Sequence, residues 1–205
     1  MVELGGIEKG LFAAALTFAV QWLLRPVAHR LNLLDYPTDR KDHAHPTPIT
    51  GGLAMVIGIL VTAWATLDIL DSAWIAFSLG AGLLIVVGLL DDKYDLPWWL
   101  RIGVQVIAAL IMALMGGVQV QHLGPVFGLR DIPLGVLSVP FTVFATVGLI
   151  NAINMIDGSD GLAGSLVLAA LVMLVAACLY SGNDVMAGRV LILVGAVAAF
   201  LRFNL

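Results

Sequence analysis

Seven apolar runs divide this chain, and they constrain its fold more than any single motif. They cover roughly residues 7–24, 51–67, 73–90, 102–117, 133–150, 162–181 and 185–203. Each is about 16–20 residues long, close to what a helix needs to cross a hydrocarbon core of about 30 Å. In lipid every backbone N–H and C=O must be satisfied internally, which leaves helices or closed barrels. Barrel strands are short and alternate in polarity, whereas these runs are continuous. The expected fold is an all-α polytopic integral membrane protein of about seven transmembrane helices, a single transmembrane domain over residues 1–205. Composition agrees, with 60% hydrophobic and 12% charged residues, the latter about half the share of a soluble domain. No nucleic-acid partner is expected. The lone Cys178 lies in an apolar run, so an internal disulfide is excluded.

The connections differ in character. Arg25 to Thr50 is long, polar and rich in Pro and His, and Asp91 to Arg101 is acidic and aromatic. Gly116 to Ile132 is Gly-rich, and alternation around Val118-Gln119-Val120-Gln121 suggests a small outer-face β-hairpin. Basic residues set the orientation. Arg25, Arg30, Arg40, Lys41, Lys93, Arg101 and Arg202 fall on one side; Lys9, Arg130 and Arg189 fall on the other. This asymmetry puts loops at about 25–50, 91–101 and 151–161 in the cytoplasm. The three chemically dense stretches then share one face.

The densest of them is Asn151-Ala152-Ile153-Asn154-Met155-Ile156-Asp157-Gly158-Ser159-Asp160-Gly161-Leu162. Two amides and two carboxylates recur every third residue, which on a helix lines one slowly drifting face. A charged group at the bilayer centre costs about 2.5–3.5 kcal/mol on insertion scales, so such a cluster needs a reason. Gly158 and Gly161 allow a turn and close approach of a ligand. A second stretch, Asp91-Asp92-Lys93-Tyr94-Asp95, sets adjacent carboxylates at a helix end. They are tolerable together if solvated, paired with cations or close to a metal. Hard oxygens suit Mg²⁺, which keeps several waters and bridges substrate phosphates. The third stretch holds Arg40, Lys41, His43, His45, Pro46, Pro48, Gly51 and Gly52. Its cations suit a phosphorylated substrate, although cytoplasmic loops carry such charge in any case. His43 and His45 are either metal ligands or hydrogen-bonders to phosphate. Metal, phosphate and a membrane frame together point to phosphoryl transfer between a soluble diphosphate and a lipid phosphate.

These residues resemble the polyprenyl-phosphate N-acetylhexosamine-1-phosphate transferases. The likeness rests on Arg40-Lys41-x-His43 leading to Gly51-Gly52, on Gly88-x-x-Asp91-Asp92, and on Asn151-x-x-Asn154-Met155-x-Asp157-Gly158-x-Asp160-Gly161-Leu162. It covers essentially the whole chain and favours the bacterial branch that makes undecaprenyl-diphosphate GlcNAc. The sister branch, which transfers phospho-MurNAc-pentapeptide, usually reads Gly-Thr-Pro-Thr-Met-Gly-Gly where this chain has Pro46-Thr47-Pro48-Ile49-Thr50-Gly51-Gly52. The resemblance implies a UDP-N-acetylhexosamine donor, an undecaprenyl phosphate acceptor, Mg²⁺ (or Mn²⁺), and a bacterial inner-membrane enzyme, with a homodimer as one assembly. It places Asp91 and Asp92 near the lipid phosphate as catalytic residues, and Asn154 at the metal. Asp157 would line the same cleft, Asp160 would contact uridine, and Lys41 with His43 would form a phosphate-holding rim. That sister branch, a transporter and an inactive membrane protein are the alternatives.

One departure stands out. The family continues with a Gly-Asp-x-Gly-Ser motif that binds Mg²⁺, followed by a His-rich loop. This chain ends at Phe203-Asn204-Leu205. The expectation is a C-terminally truncated product that lacks a metal ligand and part of the sugar-nucleotide pocket.

Overall fold

The computed structural model describes residues 5–30, 34–35, 47–48, 50–66, 71–125, 131–156 and 161–204. Seven α-helices follow one another: α1 (Gly6–Arg30), α2 (Gly51–Thr66), α3 (Ser72–Tyr94), α4 (Trp98–Leu110), α5 (Ser138–Ile156), α6 (Leu162–Tyr180) and α7 (Asp184–Asn204). Two short strands, β1 (Leu34–Asp35) and β2 (Thr47–Pro48), pair antiparallel between α1 and α2. Six helical stretches are long and apolar enough to cross a membrane, and α2 is a shorter apolar helix. The all-α, multi-pass membrane architecture expected from the apolar runs is the one observed. Large apolar side chains such as Phe144, Leu149, Val172 and Met173 lie on the surface, as expected where the solvent is lipid.

Helix ends differ from the sequence reading in two places that matter. Helix α3 runs on to Tyr94, so Asp91 and Asp92 occupy its last turn, and only Asp95–Pro97 separate it from α4. Asp95 closes α3 in the left-handed region (φ 50°), its N–H donating to the Asp91 carbonyl. Helix α5 runs on to Ile156, so Asn151 and Asn154 are helical rather than in a loop. The hairpin expected near Val118–Gln121 takes the form of one bridge between His122 and Pro133, with an exposed contact of 2.7 Å between His122 Nδ1 and Asp131 Oδ2 beside it.

The chain falls into two compact units, residues 1–68 with 154–205, and residues 69–153. In the first, α1 and α7 run side by side in the same direction. Gly6 meets Gly188, Gly10 meets Leu191, Gly195 meets the Gly10 carbonyl, and the Phe18 and Phe203 rings meet in a tilted contact with centroids 4.9 Å apart. Small residues let the two backbones touch, the packing available where lipid gives helices no hydrophobic drive to associate. A Cβ on Gly10 would stand 2.9 Å from the Leu191 carbonyl oxygen. Helix α2 packs antiparallel on α1, with Gly58 against Thr17 and Gly51 beside Gln21. Helix α6 packs antiparallel on α7, with Gly164 against Leu201.

In the second unit, α3 and α4 pack through small residues, Ala76 and Gly80 on α3 with Ala108 and Ala113 on the α4 side. A π-helical turn, Ile111–Met115, ends α4, and Gln119 Nε2 donates to the Ala113 carbonyl at 2.8 Å. Ser138 Oγ donates to the Val120 carbonyl at 2.7 Å and Thr142 Oγ1 accepts from Val120 N–H at 2.9 Å, which ties the start of α5 to this corner. Ser138 and Thr142 are the buried residues of α5.

The α1–α7 contact gives a direct test. Gly195→Val forces a side chain onto the Gly10 carbonyl and is expected to cost about 1–3 kcal/mol or more. Gly82→Ala, at a helical site with open space around it, should leave stability unchanged or raised. Thermal unfolding in detergent, followed by size-exclusion chromatography, separates the two outcomes.

Candidate active site

The turn that joins α3 to α4 is built on Asp91. Its Oδ1 accepts from Leu96 N–H at 2.9 Å, its Oδ2 accepts from Arg101 at 3.0 Å, and its backbone carbonyl accepts from Asp95 N–H at 2.8 Å. The Asp91 side chain is 21% exposed and that of Arg101 is 41% exposed. This is a half-buried pair, so it is screened less than a surface pair but still feels solvent. Asp92, the next residue, is exposed at the same helix end. The two carboxylates of the motif are therefore not equivalent. Asp91 organises the chain reversal, and Asp92 presents its carboxylate at the surface.

Their placement runs against helix electrostatics. Asp91 and Asp92 lie in the last turn of α3, where the partial charge is negative, and Arg101 lies near the positive start of α4. Each such mismatch costs about 0.3–1 kcal/mol at exposed sites. The Asp91–Arg101 pair and the Leu96 N–H offset that cost. Lys93 also sits in this last turn, its ammonium 5.2 Å from the Tyr94 ring centroid. Tyr94, Trp98 and Trp99 are all exposed around the turn, as in the aromatic belts of membrane–water boundaries.

One turn along α4 from Arg101 stands Gln105. Its Oε1 accepts from Asn151 Nδ2 at 2.6 Å, and Asn151 Nδ2 also donates to the Val147 carbonyl at 2.8 Å. One edge of α4 thus joins the carboxylate motif, through Arg101, to the head of the asparagine motif, through Gln105. Both lie within residues 69–153. Sequence reasoning passed over Gln105 and saw Arg101 only as loop charge. The signal was an i, i+4 polar pair on an otherwise apolar helix.

Residue by residue, Asn151 is half-buried with its amide engaged, while Asn154, one turn on, is exposed. Lys41, His43, Asp157 and Asp160 lie outside the described residues. Their flanks are described in the unit that holds both. Gly51 begins α2, and a Cβ there would meet the Phe200 ring at 2.5 Å. The same ring lies 3.6 Å from the Cβ position of Gly164, near the start of α6. Phe200 therefore gathers the Gly51-Gly52 end and the Gly161-Leu162 end at one end of that unit. Gly161 has φ +72°, the left-handed conformation expected of a glycine at this turn. Among the described residues, no group of three or more His, Cys, Asp or Glu is placed to hold a metal.

Comparison with known proteins bears on this arrangement. Residues 74–205 match the model of glycosyl transferase family 4. The chain belongs to that family. It is 32% identical over 182 residues to a probable undecaprenyl-phosphate N-acetylglucosaminyl 1-phosphate transferase of Bacillus subtilis, covering 89% of this chain and 51% of the relative. It is 30% identical over 181 residues to the undecaprenyl-phosphate alpha-N-acetylglucosaminyl 1-phosphate transferase of Escherichia coli K12, covering 88% and 49%. A decaprenyl-phosphate N-acetylglucosaminephosphotransferase of Mycolicibacterium smegmatis is 34% identical over 215 residues, covering 95% and 52%. The chain spans about half the length of these relatives. The family-4 match contains Asp91, Asp92, Arg101, Gln105 and the whole asparagine motif.

The inequality of the two acids is measurable. Asp91→Ala should speed amide exchange at Leu96 by about ten-fold or more, because it removes a charged acceptor from that N–H. Asp92→Ala should leave Leu96 near its original rate. Hydrogen–deuterium exchange of a peptide covering residues 93–100 reads both.

Proposed function

We propose that this chain carries part of the machinery of a transferase that moves GlcNAc 1-phosphate from UDP-GlcNAc to undecaprenyl phosphate. The observation that supports it most is the acid pair closing α3 in a family-4 chain, with Asp91 held by Arg101 and Asp92 exposed beside it. The names of the relatives support GlcNAc over phospho-MurNAc-pentapeptide as the transferred group. In the reaction, an oxygen of the lipid phosphate attacks the phosphorus that bears the sugar. The bond from that phosphorus to the bridging oxygen breaks, and UMP leaves with the electron pair. A phosphate monoester is largely ionised at neutral pH (second pKa about 6), so a carboxylate need not remove a proton from it. Asp92 would then position charge at the acceptor, and Asp91 would keep the turn that presents it.

Mg²⁺ fits the donor chemistry. It takes hard oxygens, retains waters and needs only one or two carboxylates beside substrate phosphates. Asn154 would hold it, and it would neutralise charge on the transferred group. Lys41 and His43 would hold phosphate, Asp157 would line the cleft, and Asp160 would meet uridine. The active face would be the cytoplasmic one of a bacterial inner membrane, and a homodimer is the assembly proposed.

The test uses membranes from cells that lack such a transferase of their own and produce this chain within a family-length protein, supplied with labelled UDP-GlcNAc, undecaprenyl phosphate and Mg²⁺. A butanol-extractable labelled lipid is expected. It should be lost on chelation, recovered with added Mg²⁺, and reduced about a hundred-fold or more by Asp92→Asn. Product that survives Asp91→Asn, Asp92→Asn and Asn154→Ala would sink the site assignment. Ion flux through reconstituted vesicles without lipid product would favour a transporter.

A further inference from the structure

Helix α5 is weakly held in its unit. Among the described residues its backbone packs closely on neither α3 nor α4, and Ser138 and Thr142, both near its start, are its buried residues. The start is fastened by the Ser138 and Thr142 hydrogen bonds to Val120. Toward the other end, among the described residues, the polar tie to a neighbouring helix is Gln105 to Asn151 at 2.6 Å. Asn154, a further turn on, is exposed. Among the described residues, one amide contact between α4 and α5 thus precedes the residues assigned to chemistry.

We propose that Gln105 is a positioning residue: through Asn151 it fixes the last turns of α5 and hence the presentation of Asn154. The consequence for transfer rests on the function proposed above; the positioning itself does not. Gln105 suits the task for physical reasons. It is uncharged, so its burial between helices costs less than a carboxylate or cation. Its Oε1 faces a donor that is already bonded to the Val147 carbonyl, which fixes the Asn151 rotamer. It stands one turn from Arg101, which holds Asp91. Displacement of α4 at this edge would therefore reach both motifs.

The experiment places a reporter thiol at Asn154→Cys in a Cys178→Ser chain and measures its maleimide labelling rate in detergent. Gln105→Met, similar in size and without the acceptor, should change that rate about five-fold, the worth of one neutral hydrogen bond. Gln105→Glu retains an acceptor and should label closer to the parent rate than Gln105→Met does. Asn151→Leu should reproduce the Met effect, and the Gln105→Met/Asn151→Leu double should be no worse than either single, because both remove one shared contact. Unchanged labelling in Gln105→Met, additive effects in the double, or Glu behaving as Met each overturn the proposal. A second arm measures transfer kinetics with Asn154 and Cys178 intact. Gln105→Met should lower kcat more than it raises KM for the donor, with recovery in Gln105→Glu; loss confined to global unfolding in every variant contradicts it. If the family-length parent protein forms no lipid product, the functional reading fails, while the labelling arm still decides the role of Gln105.

Discussion

The geometry of the described site depends on one ion pair, Asp91 with Arg101 at 3.0 Å. A carboxylate in the last turn of a helix and a guanidinium in the first turns of the next both oppose the helix dipoles. Neither placement is what stability alone would select. Brought together across a three-residue connection, Asp95–Pro97, they cancel, and the Leu96 N–H completes the carboxylate's coordination. The price is a local arrangement that holds only while both partners are present. In return, a second carboxylate, Asp92, stands at the surface on a turn whose geometry is fixed. Stability given up at a site in this way is what function commonly demands.

From that pair the rest of the second unit follows. Helix α4 carries Arg101 and Gln105 on one edge and the small residues Ala108 and Ala113 further on. It packs α3 through the small residues and reaches α5 through the Gln105–Asn151 contact. The first unit is built on a different principle. Gly6, Gly10, Gly188 and Gly195 let α1 and α7 approach to backbone contact, and Phe200 fills the space between the starts of α2 and α6. Two motif ends converge in each unit: the acid pair with Asn151 in one, the glycine pair with Gly161 in the other.

The apolar runs announced the helices because hydrophobic length is written directly in composition, and all seven are present. Their ends were less legible. The loops expected at about 91–101 and 151–161 begin too early, since Asp91, Asp92, Asn151 and Asn154 all lie within the last turns of their helices. A helix near the membrane surface can continue into water when its polar groups find partners, and those partners, Arg101 and Gln105, lie 10 and 46 residues away in the chain. Residue type and spacing identified the acids and the asparagine motif, since few other roles need them there. Spacing could not distinguish Asp91 from Asp92, because the difference lies in which one the Leu96 amide and Arg101 reach. Polar residues spaced by three also suggested one functional face, but Asn151 turns to Gln105 while Asn154 is exposed.

The most direct measurement is a charge swap at the central pair. Asp91→Arg and Arg101→Asp, each alone, should lower the melting temperature in detergent, because each sets two like charges together. The double swap restores an opposite pair and aligns both charges with the helix dipoles, so most of the lost stability should return, while lipid-linked product remains absent. A double variant that melts no higher than the worse single, or that regains transfer along with stability, would contradict the view that this pair is oriented for chemistry and held by its own attraction.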